Sequence, residues 1–575
     1  MLKKPQSCKR YQGLLTVFIL ALTLNWLTFY LHFSDFGLVA DDYSRLTEAM
    51  QLRLTADGVT RLQDAILYQG RPVHNGLILL FLWLGFNLGG LSGIYLIGLL
   101  VGAVNAVLLY MLVNQLTKAP YVSLFSTLFY LLFPAHTLQL WPTAIFGIQT
   151  AIAFLLLGLN CYLSKRRVLS YLLAFIVLLT YEPVYTIFLA APLLKLKKIR
   201  FSREIALHIA VTASLFLVST TVKKFLLADN RLSNLDLLDL ARHLVRNIVY
   251  GPPVSITSYF YRFISGIIPV SIAQAFLLLF AAVLFYFLLR QVCKDQYLKQ
   301  AIQPHRHNKS VYQSLARIAA TGLLLSYFSY PLSLSTNVLS VSGRTSRIHI
   351  AASIGTAIFL GAIAGFLIIS SKKKRKKLVI VLMSVLLSGL VGFGWDVQKQ
   401  YAANWEIQKA FWTDVISLTP DLEKGDLILV EGYEGVREPN FIDAFEFSKD
   451  AILNYGIYQV PYYSSYFQSG ELKHHNSLKL HFLKPDWRNH ILNNNNLIEV
   501  DINSTYGKGI EPNQVLEYKP QNVIFLEINS GRLVRVNQPI SVSNKVLALK
   551  TQDKVFDLNH QSFEVGYLYD ALISK

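Results

Sequence analysis

Cysteine is nearly absent from this chain of 575 residues: there are three, Cys8, Cys161 and Cys293, all in its first 300 positions. So few thiols build neither a disulfide framework nor a cysteine zinc site. No internal repeat is evident, and no Pro-rich or Gly/Ser-rich linker separates the two halves. A small-residue cleavage site is also missing after the N-terminal apolar run, so that run is expected to remain as a first membrane span.

Acidic residues are scarce in one part of the chain only. Residues 1–396 carry 13 Asp and Glu against 37 Lys and Arg, whereas residues 397–575 carry 22 against 17. The formal net charge of +19 therefore belongs to the first part. There it sits in short clusters between apolar runs: Lys3, Lys4, Lys9 and Arg10; Lys165, Arg166 and Arg167; Lys195, Lys197, Lys198 and Arg200; Lys294, Lys299, Arg306 and Lys309; and KKKRKK at 372–377. Basic loops of this kind hold to the cytoplasmic side of a membrane, which argues against nucleic acid as a partner.

Apolar sequence, by contrast, is abundant. The chain is 53% hydrophobic with a mean hydropathy of +0.39, too apolar for a soluble protein. Runs able to cross are expected at 11–33, 93–116, 119–134, 143–163, 168–181, 183–194, 205–227, 264–291, 313–333, 348–370 and 378–396, about eleven in all. One further run, HNGLILLFLWLGFNL at 74–88, is assigned by loop charge. Were it to span, every later basic cluster would face outward, so it is expected to lie at the outer interface or to re-enter. The loop 34–92, the turn FPAHTLQLWP at 133–142, the YEP break at 181–183, the segment 228–263, the loop 336–347 and the C-terminal part then all lie outside.

The texture changes after the last span. WEIQKAFWTDVISLTPDL from Trp405 reads as an amphipathic helix, and GDLILVEG (425–432), NVIFLEI (522–528) and KVLALKT (545–551) read as strands. The expected architecture is a polytopic α-helical membrane domain, 1–396, followed by an extracytoplasmic, strand-rich α+β domain, 397–575.

Chemistry-bearing residues crowd the first outer loop. Asp41 and Asp42 are adjacent, and Arg45, Arg71, His74 and Asn75 lie in the same loop. An acidic pair commonly caps a helix. A carboxylate in the company of cations also suits deprotonation of a hydroxyl while positive charge holds an anionic leaving group. Glu182 interrupts an apolar region, which makes it either a functional group facing a cavity or a partner, or a solvated helix end. Two adjacent acids can hold a divalent metal ion, with Asp41 and Asp42 the candidates. HRHNK at 305–309 and the pair at 474–475 lack metal-site spacing, and the tyrosines of YGIYQVPYYSSYF (455–467) serve either strand packing or sugar stacking.

ADDYSR at 40–45, YQGRP at 68–72, the Pro- and Trp-containing outer turn and the YEP break together resemble bacterial membrane glycosyltransferases of the GT-C structural class. The O-antigen glucosyltransferase family is most similar, and protein O-mannosyltransferases and aminoarabinose transferases are more distant. The resemblance implies an enzyme that moves a hexose from a polyprenyl-phosphate donor to an acceptor hydroxyl on a glycan, lipid or protein, at the outer face of a bacterial inner membrane and with inversion. It implies Asp42 or Asp41 as general base, with Arg71, Arg344 and Arg347 at the donor phosphate. Arg45, His74, Glu182 and Trp141 are left for the acceptor or for support. A missing glycine-rich phosphate loop disfavours a soluble nucleotide-sugar donor. The rival readings are a polysaccharide ligase or polymerase acting through basic residues of late outer loops, and a flippase or transporter, which would show repeated halves and polar groups along several spans.

Overall fold

The computed structural model describes residues 6–39, 42–50, 63, 66–67, 70–194, 203–226, 237–268, 271–293, 308–333, 337–419, 421, 426–431, 479–483, 491–494, 497–501, 505–506, 515–529, 532–542, 545–547 and 549–552. The chain divides into two compact units, Met1–Ser34 with Glu48–Gln400, and Asp35–Thr47 with Tyr401–Lys575.

The first unit is helical. Among the described residues seven helices are long and apolar enough to cross a membrane: Gly13–Tyr30, Pro72–Thr117, Pro142–Leu163, Arg203–Lys224, Ile272–Val292, Ala352–Ser370 and Lys374–Glu406. Three shorter apolar helices, Pro120–Leu131, Arg167–Thr180 and Glu182–Leu194, accompany them. At a rise of about 1.5 Å per residue the shorter ones fall well below the roughly 30 Å of a hydrocarbon core. The protein is an integral membrane protein.

Two boundaries differ from the sequence reading, for local reasons. The run expected at 264–291 begins only at Ile272, because IIPVS breaks the chain after Gly266 and the Ser271 hydroxyl caps the new helix by accepting the Gln274 N–H at 3.2 Å. The span and the amphipathic helix expected as separate elements around 378–418 are a single helix, Lys373–Leu418. Residues 397–404, VQKQYAAN, contain no Gly or Pro to end it.

The segment 72–88 is joined to 91–117 by a kink at Gly89 and Gly90, the latter at φ +61°, a conformation that glycine tolerates without strain. The chain then folds back so tightly that a Cβ on Gly93 would lie 2.1 Å from the Gly85 carbonyl oxygen. The helix 91–117 runs antiparallel to the first one, since Tyr30 lies against Gly98 while Asn25 lies against Gly102. The end of the first helix and the start of the helix 91–117 therefore lie at the same end of the helical unit. Elsewhere small residues let backbones meet: a Cβ on Gly355 would come within 2.2 Å of the Ser326 nitrogen, the packing expected where apolar helices gain nothing from hydrophobic exclusion.

The second unit holds a five-stranded sheet. Its strands are β1 (Leu427–Glu431), β2 (Lys479–Leu483), β5 (Thr505–Tyr506), β7 (Val523–Asn529) and β8 (Arg532–Val536), in the order β5-β2-β1-β7-β8. β1 pairs in parallel with both β2 and β7, while β8 and β5 add antiparallel edges. Leu427–Val430 and Val523–Leu526 are buried without alternation, as central parallel strands covered on both faces must be. Three further strands, β3 (Ile491–Asn494), β4 (Leu497–Asp501) and β6 (Val515–Tyr518), form a separate antiparallel sheet, and β9 (Ile540–Val542) pairs with β10 (Lys545–Leu547).

Candidate functional site

In the helical unit, three of the residues singled out from the sequence converge. Arg71 immediately precedes the helix that Pro72 opens, and Glu182 heads the helix of the YEP break. The Arg71 Nε donates to Glu182 Oε2 at 3.0 Å, and an Arg71 terminal nitrogen lies 2.8 Å from the same oxygen. The other carboxylate oxygen, Oε1, is taken by the ammonium of Lys223, which also donates to the Leu178 carbonyl at 2.9 Å. The guanidinium stands 5.0 Å from the centre of the Tyr181 ring, a cation–π distance, and His74 stacks on Tyr181 at 6.2 Å with an interplanar angle of 24°.

Glu182 is thus neither a solitary group in a cavity nor a freely solvated helix end. It is the shared counter-ion of two cations, and the cluster of Arg71, Glu182 and Lys223 carries a net charge of +1. The Arg71 and Glu182 side chains each keep 18% of their surface exposed. Lys223 was not legible as a partner, although TTVKKFL places two lysines at the end of a span assigned to the outside, against the usual charge bias.

A second feature of the same unit is a small cavity of ≈ 50 Å³ near the end of the first helix, lined by Asn25, Tyr30, Tyr130, His136, Gln139 and Gln149 among others. Two π-helical turns face it, Trp26–Tyr30 and Ile145–Gln149. Such turns are rare and recur at functional sites. Tyr30 donates its hydroxyl to the Gln139 carbonyl at 2.9 Å, and Tyr130 donates to Gln149 Oε1 at 3.2 Å. The Gln139 amide donates to the carbonyls of Phe133 and His136, while its Oε1, shielded from solvent, has no hydrogen-bond partner. Burial pushes the His136 imidazole down to about 3, with His349 adding to the effect, so this histidine is neutral.

In the second unit, Asp42 is fully buried at the start of the helix Asp42–Met50. Its Oδ2 accepts the Val39 N–H at 3.1 Å, and its own N–H donates to the Val39 carbonyl at 3.0 Å. The carboxylate thereby closes the turn ahead of the helix. Arg45, one turn further on, is half-buried. Asp41 lies outside the described residues, as do 455–467, 474–475 and most of 305–309.

Of the remaining candidates, Trp141 is buried beside Pro142. The turn Arg344–His349 is held by the Gly343 N–H donating to Thr137 Oγ1 at 2.9 Å, and it leaves Arg347 exposed; the Arg344 side chain is outside the described residues. Asn75 is a support residue, donating to the Ile66 carbonyl at 3.2 Å. Among the described residues no group of three or more His, Cys, Asp or Glu gathers as a metal site.

No protein-family model matches the chain, and no curated protein matches it. Among solved structures, the crystal structure of ArnT from Cupriavidus metallidurans bound to undecaprenyl phosphate is similar, with 12% identity and a TM-score of 0.40 over 82% of this chain and 93% of that one.

Proposed function

We infer that this protein is a GT-C-type glycosyltransferase that moves a hexose from a polyprenyl-phosphate carrier to an acceptor hydroxyl at the outer face of a bacterial inner membrane. The observation that carries the reading is Asp42: a carboxylate withdrawn from bulk water and held by the Val39 N–H, in the ADDYSR context just after the first membrane helix. A general base for a hydroxyl needs that fixed orientation.

In the proposed step the acceptor oxygen attacks the anomeric carbon and its proton passes to Asp42, with Asp41 beside it in the sequence. The bond from the anomeric carbon to the phosphate oxygen breaks on the opposite face, so a single displacement inverts the configuration. The departing polyprenyl phosphate is already a stable anion and asks for positive charge rather than a proton. Within the helical unit, Arg71 and Lys223, which share one carboxylate, and Arg347 and Arg344 are the cations proposed for the carrier phosphate. The basic clusters put the N-terminus in the cytoplasm and the C-terminal unit outside.

The test is release of free carrier phosphate from polyprenyl-phosphate hexoses by the purified protein in detergent, with and without EDTA. The expected result is release by the wild type and a fall of about 10²–10⁴-fold in Asp42→Asn with folding intact. Equal release by wild type, Asp41→Asn and Asp42→Asn would reduce Asp42 to a turn-closing residue and overturn its role as base.

A further inference from the structure

We propose that the cavity between the two π-helical turns is a carbohydrate subsite that takes one hydroxyl-bearing edge of an uncharged sugar and rejects amino sugars and uronic acids. This deepens the glycosyltransferase reading and rests on it.

The argument begins with the lining. Asn25, Tyr30, Tyr130, Gln139 and Gln149 offer amides and phenols, and the only titratable imidazole among the polar groups, His136, is neutral. Among the described residues no Asp, Glu, Lys or Arg lines the cavity. An ammonium or carboxylate entering it would lose its hydration with nothing of opposite sign to meet, which is costly. A hydroxyl, by contrast, both donates and accepts.

The acceptor it would donate to is present. Gln139 Oε1 is shielded and unpartnered, while the amide nitrogen of the same side chain is anchored on two carbonyls. The oxygen is thus fixed in place and lacks a donor, a state that native proteins seldom leave uncorrected. Size sets the limit: ≈ 50 Å³ admits a few water molecules or one edge of a pyranose, not a whole ring or a lipid chain. The two π-turns are a separate observation. Trp26–Tyr30 ends the first helix and Ile145–Gln149 interrupts a later one, and both stand at the cavity wall, where Tyr30 and Gln149 supply polar groups.

The test measures binding, not turnover, by the full chain in lipid nanodiscs. The probes are bare polyprenyl phosphate and polyprenyl phosphate carrying glucose, glucosamine or glucuronate. The expected result is that glucose tightens binding at least tenfold over the bare carrier, while glucosamine and glucuronate do not. Gly98→Ala, whose added methyl would enter the cavity wall 3.1 Å from the Tyr30 hydroxyl, should remove the gain from glucose and leave the bare carrier unchanged. Gln139→Leu should act in the same direction, and Gly98→Ala keeps the test open should that variant fail to fold. Intact carrier binding with no gain from glucose would mean that the cavity holds water only, and equal gains from all three sugars would remove the claim of charge rejection; either overturns the subsite and spares the glycosyltransferase reading. Failure of the bare carrier to bind would count against that reading instead. A lipid-free measurement then decides the subsite: in Gly98→Cys, methyl glucoside should shield the thiol from a small alkylating reagent, and methyl glucosaminide should not. Absence of shielding overturns it.

Discussion

Two groups of ion pairs, one in each unit, teach how the same chemistry can be closed or left open. In the C-terminal unit, Arg535 and Asp421 are 1% and 5% exposed and meet through two parallel bonds, one of them 2.9 Å long. The Arg535 guanidinium also donates to the carbonyls of Leu418 and Lys550. One cation meets one anion, and the group ties the strand β8 to the segment that follows the long helix. In the helical unit, one anion, Glu182, serves two cations and keeps part of its surface open. The first arrangement sets one cation against one anion; the second sets two cations against one.

The largest expected effect breaks the closed pair. Arg535→Ala would leave Asp421 buried without its counter-charge and destabilise the C-terminal unit by about 3–5 kcal/mol, read as earlier proteolysis of that unit on heating. Next is Lys223→Met, which removes one of the two cations that Glu182 meets. Binding of bare polyprenyl phosphate should weaken by about tenfold, roughly 1.4 kcal/mol, in nanodisc titrations, and a loss no larger than that of an exposed control such as Lys224→Met would dismiss the cluster as a phosphate site. Glu182→Gln sharpens the contrast in the opposite direction: with the carboxylate that the two cations share removed, carrier affinity should rise, and its dependence on salt should steepen.

The smallest effect is one of pH. Burial pushes the Asp421 carboxyl up, but the hydrogen bonds and charge of Arg535 outweigh it and hold the group below its ordinary value. A depressed carboxylate contributes stability that is fully present above its unfolded pKa of about 3.9 and is lost as pH falls through the lower folded value. Acid titration of unfolding should therefore show this loss only below about pH 4, and Asp421→Asn should flatten that limb. Above it, the wild-type profile should be insensitive to this pair.

Much of the organisation is legible along the chain because it is local. Long apolar runs must become helices where lipid offers no backbone partners, and the strands at 427–431 and 523–529 follow from short β-branched and aromatic runs between turn residues. The fold-back of 72–88 is written in the adjacent glycines at its end. The helix through 397–404 was harder to foresee, since a change of composition there resembles a boundary although nothing in it stops a helix.

What the sequence by itself determined was therefore the class of molecule, a polytopic membrane protein with a strand-bearing C-terminal part, and the short list of residues able to do chemistry. Which of them meet was decided by tertiary structure. Glu182 finds Lys223 across 41 residues and Arg71 across 111, and Tyr30 reaches Gln139 across 109. Periodicity carries no record of such pairings, because they depend on how helices pack and on where a kink or a π-turn aims a side chain. Charge explains the outcome at Glu182: an anion drawn into an apolar bundle is stable only with partners, and the fold brought two.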